Sequence, residues 1–190
     1  MNSDQELIER FKDGDETAFE ELLQRYDKKV LATAYKYVRS KDLAKDIYQE
    51  TFIRVYKGLH KFEYRSQFNT WLYRIVVNTC LSFAKKEQRH DYTPLSGDED
   101  DGFLNTLPDE AVPDPSMSGI DKERKTAIHN AVNRLPDQQR MVFVLRHYQG
   151  FKMKEIASMM NIKEGTIKRY LFHAVQKLRA DLGYIQKEEQ

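Results

Sequence analysis

Apolar residues in this chain recur at three- and four-residue steps almost from its start, the period of helices buried along one stripe. Leu7, Ile8 and Phe11 follow Ser3-x-x-Glu6, a capping box, and Gly14 stops that short helix. Asp15 can cap a longer helix with Phe19, Leu22, Leu23, Tyr26, Val30, Ala34, Tyr37 and Val38 inward. Ser40 can cap a third, which turns Leu43, Ile47, Phe52, Val55 and Leu59 inward. A fourth begins near residues 66–69 and carries Phe68, Leu72, Ile75, Thr79 and Phe83. The period then stops. It resumes with Ile128, Ala131, Val132 and Leu135 and is cut by Pro136. It runs on through Met141, Val142, Val144, Leu145 and Tyr148 to Gly150. Two more helices, near 152–160 and 164–182, follow with a turn at Asn161-Ile162-Lys163 between them. No segment alternates convincingly at period two, so strands are not expected, and no internal repeat is visible.

The break in the period has a composition of its own. Residues 92–119 hold Pro94, Pro108, Pro113 and Pro115, four of the five prolines, together with Gly97, Gly102 and Gly119. From Asp91 to Asp121 there are nine acidic residues and no Lys or Arg. Such a stretch buries too little apolar surface to offset its ordering entropy, and it reads as a linker. The expected fold is therefore all-α: two small helical domains, 1–91 and 120–190, joined by an acidic, Pro-rich flexible linker over 92–119. The second domain is expected to be a helix-turn-helix four-helix unit.

Charge changes the picture once it is divided in the same way. The whole chain carries a formal +1, but without those nine acidic residues 31 basic residues face 21 acidic ones, a net of +10. Basic bodies suit a polyanion, because each phosphate neutralised releases condensed counterions; charge that merely keeps the bodies in solution is the ordinary alternative. No apolar run approaches the roughly 20 residues of a membrane span. Cys80 is the one cysteine, which excludes an internal disulfide and a multi-cysteine metal site. The acidic start lacks the features of a secretory signal. A reducing, cytoplasmic setting is expected.

The sharpest local signal runs from Glu155 to Arg169. Ala157 is small where two helices must cross closely, Asn161 tolerates the left-handed conformation of a tight turn, and Ile156, Met160, Ile162, Ile167 and Leu171 are spaced to share a core. Lys163, Glu164, Thr166, Lys168 and Arg169 open the second helix, with His173 further along, where side chains meet base edges or phosphates. This is a helix-turn-helix pattern; an ordinary helical hairpin shares its apolar spacing. On the fourth helix Arg74, Asn78, Ser82, Lys85 and Arg89 fall on one face, able to follow a phosphate backbone or simply to be solvated. Before that helix, Phe62 to Trp71 is rich in aromatic and amide side chains, which suit stacking on unpaired bases. Phe68 and Trp71 are assigned to packing, and Tyr64 and Arg65, on the loop, to contact. Asp46 and Glu50, with Gln49 beside them and Arg54 a turn beyond, form a charged face on the third helix. Paired carboxylates suit acid–base chemistry, but no nucleophile, metal site or phosphate loop accompanies them, and a surface for a basic partner is the sharper reading. His60, His90, His129, His147 and His173 are scattered singly. No catalytic residue, metal, cofactor or small-molecule substrate is expected.

Together these stretches resemble the extracytoplasmic-function (ECF) group of the sigma-70 family of RNA polymerase sigma factors. The segments that carry the resemblance are Ala44 to Tyr56, Phe68 to Asn78, Leu135-Pro136, Arg140 to Phe143, and Glu155-Ile156-Ala157 through Gly165-Thr166-Ile167-Lys168. It implies a protein that binds core RNA polymerase and directs initiation at specific promoters without being an enzyme. Asp46, Gln49, Glu50 and Arg54 would dock on the clamp helices of the polymerase's largest subunit, and the flap of the second-largest subunit would be a further contact. The loop from Phe62 to Phe68, with Tyr64, Arg65 and Ser66, would capture a flipped base of the −10 element, and Asn69, Arg74, Asn78 and Lys85 would hold that element as it melts. The helix near Gly165 would read the −35 element in duplex DNA. An anti-sigma factor, which can hold such a protein at the inner membrane, is a further implied partner. Lys152, Lys163, Tyr170, His173 and Val175 depart from residues common in that group, so the −35 sequence preference does not follow. The rival readings are a polymerase-independent helix-turn-helix regulator and a helical enzyme acting on nucleic acid.

Overall fold

The computed structural model describes residues 2–38, 40–90 and 119–183, the side chains of 88–90 and 119–125 apart. The expected linker lies outside the described residues, save residue 119. Every expected helix is present, and no strand occurs among the described residues. Helix α1 spans Asp4–Lys12, α2 Glu16–Tyr37, α3 Lys41–Leu59 and α4 Phe68–His90. Then come α5 (Gly119–Asn133), α6 (Asp137–Phe143), α7 (Met153–Met160) and α8 (Glu164–Gly183).

The starts follow side-chain chemistry. Ser3 Oγ accepts from the Glu6 amide at 3.2 Å while the Glu6 carboxylate takes the Ser3 amide at 2.6 Å, so two orphan donors of α1 are met reciprocally. Asp15 caps α2 through the Thr17 amide at 3.0 Å, and Ser40 caps α3 through Leu43. At α7 only half of that device exists: Glu155 accepts from the Lys152 amide at 2.7 Å, but a lysine side chain has no acceptor to return. Two elements differ from expectation. Helix α5 begins at Gly119, well before Ile128; its first turns are mostly polar in sequence, so the apolar period does not mark their start. The helix expected through Met141 to Tyr148 changes winding midway, Val144–Tyr148 being a π-helix.

Helices α1 to α4 pack in sequence order, each against the next, while α8 is the axis on which α5, α6 and α7 rest. The sequence left open how the two groups sit, and the structure packs them together. Helix α4 lies against both α6 and α7, and α2 meets the π segment. One apolar core runs from Leu7, Ile8 and Leu22 through Leu72, Val76 and Cys80 into Met141, Leu145, Ile156 and Ile167. A smaller core of Ala131, Val132, Leu135, Val144, Ala174 and Leu178 sits between α5, the π segment and α8. A fully buried Leu or Ile contributes about 1.5–3 kcal/mol relative to exposure, so the shared core is a substantial bond between the groups.

Polar contacts cross that seam too. The Tyr73 ring, buried, packs edge-on against Phe151 with centroids 4.6 Å apart, and its hydroxyl donates to Gln149 Oε1 at 2.9 Å. Arg140 is buried too; its guanidinium donates to the carbonyls of Asn133 and Leu135 in its own unit and to that of Tyr37, at the end of α2, all within 3.0 Å. A cation at the C-terminal end of a helix also meets the negative end of its macrodipole.

Candidate nucleic-acid interface

Helices α7 and α8 form the helix-turn-helix. Asn161 closes α7 in the left-handed region, φ 55° and ψ 44°, and the chain turns at once into α8. Ile156 and Ile167 are fully buried between the two helices, and Ala157 is nearly so, which lets the backbones approach. Burial of these positions leaves the other face of α8 to solvent: Lys163, Glu164, Lys168, Arg169 and His173 are exposed, and Thr166 is half-buried. Lys168 is paired with Glu164 at 3.0 Å, so Arg169 projects the less encumbered charge. Sequence reasoning missed Phe172, which is 59% exposed on this same face. An apolar ring held in water beside Arg169 and His173 suits contact with a thymine methyl in a major groove. Its position one turn past Lys168 was the available signal.

The second surface is built on α4 and the turn before it. Phe68 is buried and Trp71 half-buried, both in ring contact with Phe62, as the packing assignment required. Gly58 lies close by: a Cβ on it would stand 3.1 Å from the Trp71 ring, which would have to give by a few tenths of an ångström. Asn78, Ser82 and Lys85 are exposed along α4, while Asn69 and Ser66 are half-buried at its start. Ser82 spends its hydroxyl on the Asn78 carbonyl at 2.7 Å. Arg89 lies where no side chain is described. Arg74 is exposed but bonded to Ser158 Oγ of α7 at 3.2 Å, so this polar face borders the seam with the helix-turn-helix. In the turn, Arg65 is paired with Glu63 at 2.6 Å, the side chains 86% and 63% exposed, which leaves it free to exchange partners. Tyr64 stands at φ 56°, a conformation rare outside glycine and asparagine.

The third surface is the outward side of α3. Ile47, Thr51, Phe52, Val55 and Leu59 face the core, so Asp46, Gln49 and Arg54 point to water, with Glu50 half-buried. Glu50 holds Arg54 Nε at 2.6 Å. Ile53, 47% exposed, gives this charged face an apolar centre. It falls off the inward stripe, and the sequence reading passed it over for that reason. No group of side chains among the described residues has the donor set for a metal ion. No described helix is long and apolar enough to cross a membrane.

Fold and faces together define a two-unit helical protein that presents a helix-turn-helix, a polar helix with an aromatic turn, and a charged face on α3. Residues 22–90 match the family described as sigma-70 region 2, and residues 125–178 the family described as sigma-70, region 4. The chain is 34% identical over 176 residues to the ECF RNA polymerase sigma-E factor of Escherichia coli K12, covering 90% of each chain. It is 28% identical over 189 residues to the RNA polymerase sigma-H factor of Pseudomonas aeruginosa, covering 99% of this chain and 98% of that one. The chain belongs to the ECF group of the sigma-70 family. Its fold is also that of CnrH in complex with the cytosolic domain of CnrY, with TM-score 0.69 at 18% identity over 96% of this chain and 99% of that one. The sigma factor RpoE in complex with the anti-sigma factor NepR, from Bartonella quintana, is similar at TM-score 0.68 and 22% identity, over 87% and 96% of the two chains.

Proposed function

We propose that this protein binds core RNA polymerase and directs initiation at a distinct set of promoters, with residues 1–91 acting at the −10 element, residues 120–190 at the −35 element and residues 92–119 as the tether between them. Asp46, Gln49, Ile53, Glu50 and Arg54 form the docking face for the largest subunit's clamp helices. The outward face of α8, with Arg169, Lys168, Phe172 and His173, lies in the major groove of the −35 element. The turn of Tyr64, Arg65 and Ser66 receives an unstacked base, and Asn69, Arg74, Asn78 and Lys85 hold the strand beside it. Trapping that base offsets the few kcal/mol of unpairing, so melting needs no chemical step. Both DNA sites are small, and docking of both units on one polymerase makes the second contact intramolecular. An anti-sigma factor that covers the docking face or spans the two units is the natural antagonist; the similar sigma factor RpoE is itself found in complex with an anti-sigma factor, NepR.

The observation that carries this reading is the separation of faces: α3, α4 and α8 each bury their apolar stripe and turn a different polar face outward, on one chain. Run-off transcription on a pool of promoter fragments, with and without this protein added to core polymerase, tests it. Discrete transcripts that require the protein are expected, and their aligned upstream sequences supply both elements. Absence of such transcripts together with absence of core binding would overturn the reading.

A further inference from the structure

Helix α1 precedes the segment matched by region 2, and none of its residues has a named role in the reading above. Its outer side nevertheless touches the turn that carries the base-capture role. Tyr64 Oη donates to Glu9 Oε1 at 2.5 Å, across fifty-five positions of sequence. Lys12 Nζ donates to the Phe62 carbonyl at 2.9 Å, lies 4.6 Å from the centre of the Tyr64 ring, and reaches Glu9 at 3.5 Å. The Tyr64 ring leans edge-on against Phe62, itself buried, with centroids 4.9 Å apart.

Helix α1 itself is firmly held. Leu7, Ile8 and Phe11 are buried, and Phe11 packs among the rings of Phe19, Tyr56 and His60. Asp4 is held by Arg25 at 2.9 Å and by the Tyr26 hydroxyl. The turn, by contrast, holds a tyrosine at φ 56°, a conformation that persists only where the surroundings over-determine it. The hydroxyl bond from Tyr64 holds the Glu9 carboxyl below its ordinary range, so the acceptor is charged at neutral pH and the contact is in place.

We propose that Glu9 and Lys12 of α1 are positioning residues for −10 recognition: they pin the turn of Tyr64 in its left-handed form and thereby set which unpaired base the turn accepts. The inference rests on the base-capture role proposed above. Neither residue has to touch DNA. Lys12 lies beside the Glu9 charge and so reduces its repulsion of an approaching phosphate, while the bond fixes the ring edge and the backbone of residues 62–65 in one arrangement.

The test uses holoenzyme assembled from core polymerase and Glu9→Ala, Glu9→Gln, Tyr64→Phe or the Glu9→Ala/Tyr64→Phe double variant. The probes are single-stranded −10 oligonucleotides with each of the four bases at the captured position. Glu9→Ala and Tyr64→Phe should each lower the preference for the favoured base about three- to tenfold, and the double variant should be no worse than either, because both remove one bond. Glu9→Gln keeps an acceptor and should keep most of the preference. Cleavage by trypsin after Arg65 in the free, folded chain should rise several-fold in Glu9→Ala, which reports the pinning without DNA. Faster cleavage with an unchanged base preference, or two losses that simply add, would overturn the proposal. A wild-type holoenzyme with no base preference would instead bring down the base-capture role itself, while the cleavage difference still reported the contact.

Discussion

At the scale of single residues, burial decides which groups keep their chemistry. Cys80 sits fully buried on α4 among apolar neighbours, and loss of solvation pushes its thiol up to about 12. The thiolate is the reactive form, so at pH 8 this sulfur is both protonated and out of reach. A thiol-specific reagent should label the native chain at least a hundredfold more slowly than the unfolded one; comparable rates would show that the α4 core opens readily. Arg169 gives the contrasting prediction. It is exposed on α8, and its replacement by alanine should cut −35-dependent transcription about tenfold, as expected for loss of 1–3 kcal/mol at a base or phosphate, while binding to core polymerase stays unchanged. The pair of measurements separates a residue that acts at the surface from one that only fills space.

At the scale of elements, the decisive features are where helices stop and which side they leave out. Asn161 stops α7 at φ 55°, and a β-branched residue there would be forced into a region it avoids. Asn161→Val should cost about 1–2 kcal/mol and lower the melting temperature by several degrees, whereas Asn161→Gly should be tolerated; thermal unfolding of the two variants decides. On α3 the exposed Asp46 invites the opposite kind of test, since Asp46→Lys reverses a charge without disturbing the core. It should weaken core-polymerase binding tenfold or more in a pull-down and leave the stability of the free chain unchanged. Most of this was legible in sequence. Capping boxes and 3.6-residue stripes report local free energies, so Ser3, Asp15, Ser40 and Asn161 marked boundaries that the structure keeps. Phe172 and Ile53 lie outside the apolar stripes and give no periodic signal of their own; Phe172 is marked only by its place one turn past Lys168, and Ile53 only by its exposure. The Tyr64–Glu9 bond was not legible at all, because contacts distant in sequence depend on how α1 lies beside the turn, and no local pattern encodes that.

At the scale of the whole molecule, the packing of the two units sets a condition on function. Arg74 on the proposed −10 face is bonded to Ser158 of the helix-turn-helix, and Tyr73 beside it is buried against Phe151. A strand following α4 would meet α7 unless the seam parted, so docking on the polymerase has to supply what opening costs. Arg140 is the residue through which that cost is best probed, since one guanidinium joins the ends of α5 and α2. Methionine keeps most of its volume but none of its donors. Hydrogen bonds from a charged group contribute about 1.5–3 kcal/mol, so Arg140→Met should lower stability by that order. It should also shift the chain toward separated units. Because Cys80 is buried, fluorophores can be attached to cysteines placed at exposed Gln24 on α2 and Gln176 on α8 with little competing label. Energy transfer between them should fall when core polymerase is added to the wild type, and in Arg140→Met part of that fall should be present before any polymerase arrives. If the same variant then binds single-stranded −10 DNA more tightly as a free chain, the seam competes with DNA for α4. A change in distance without a gain in binding would place the obstacle elsewhere, in the turn around Tyr64.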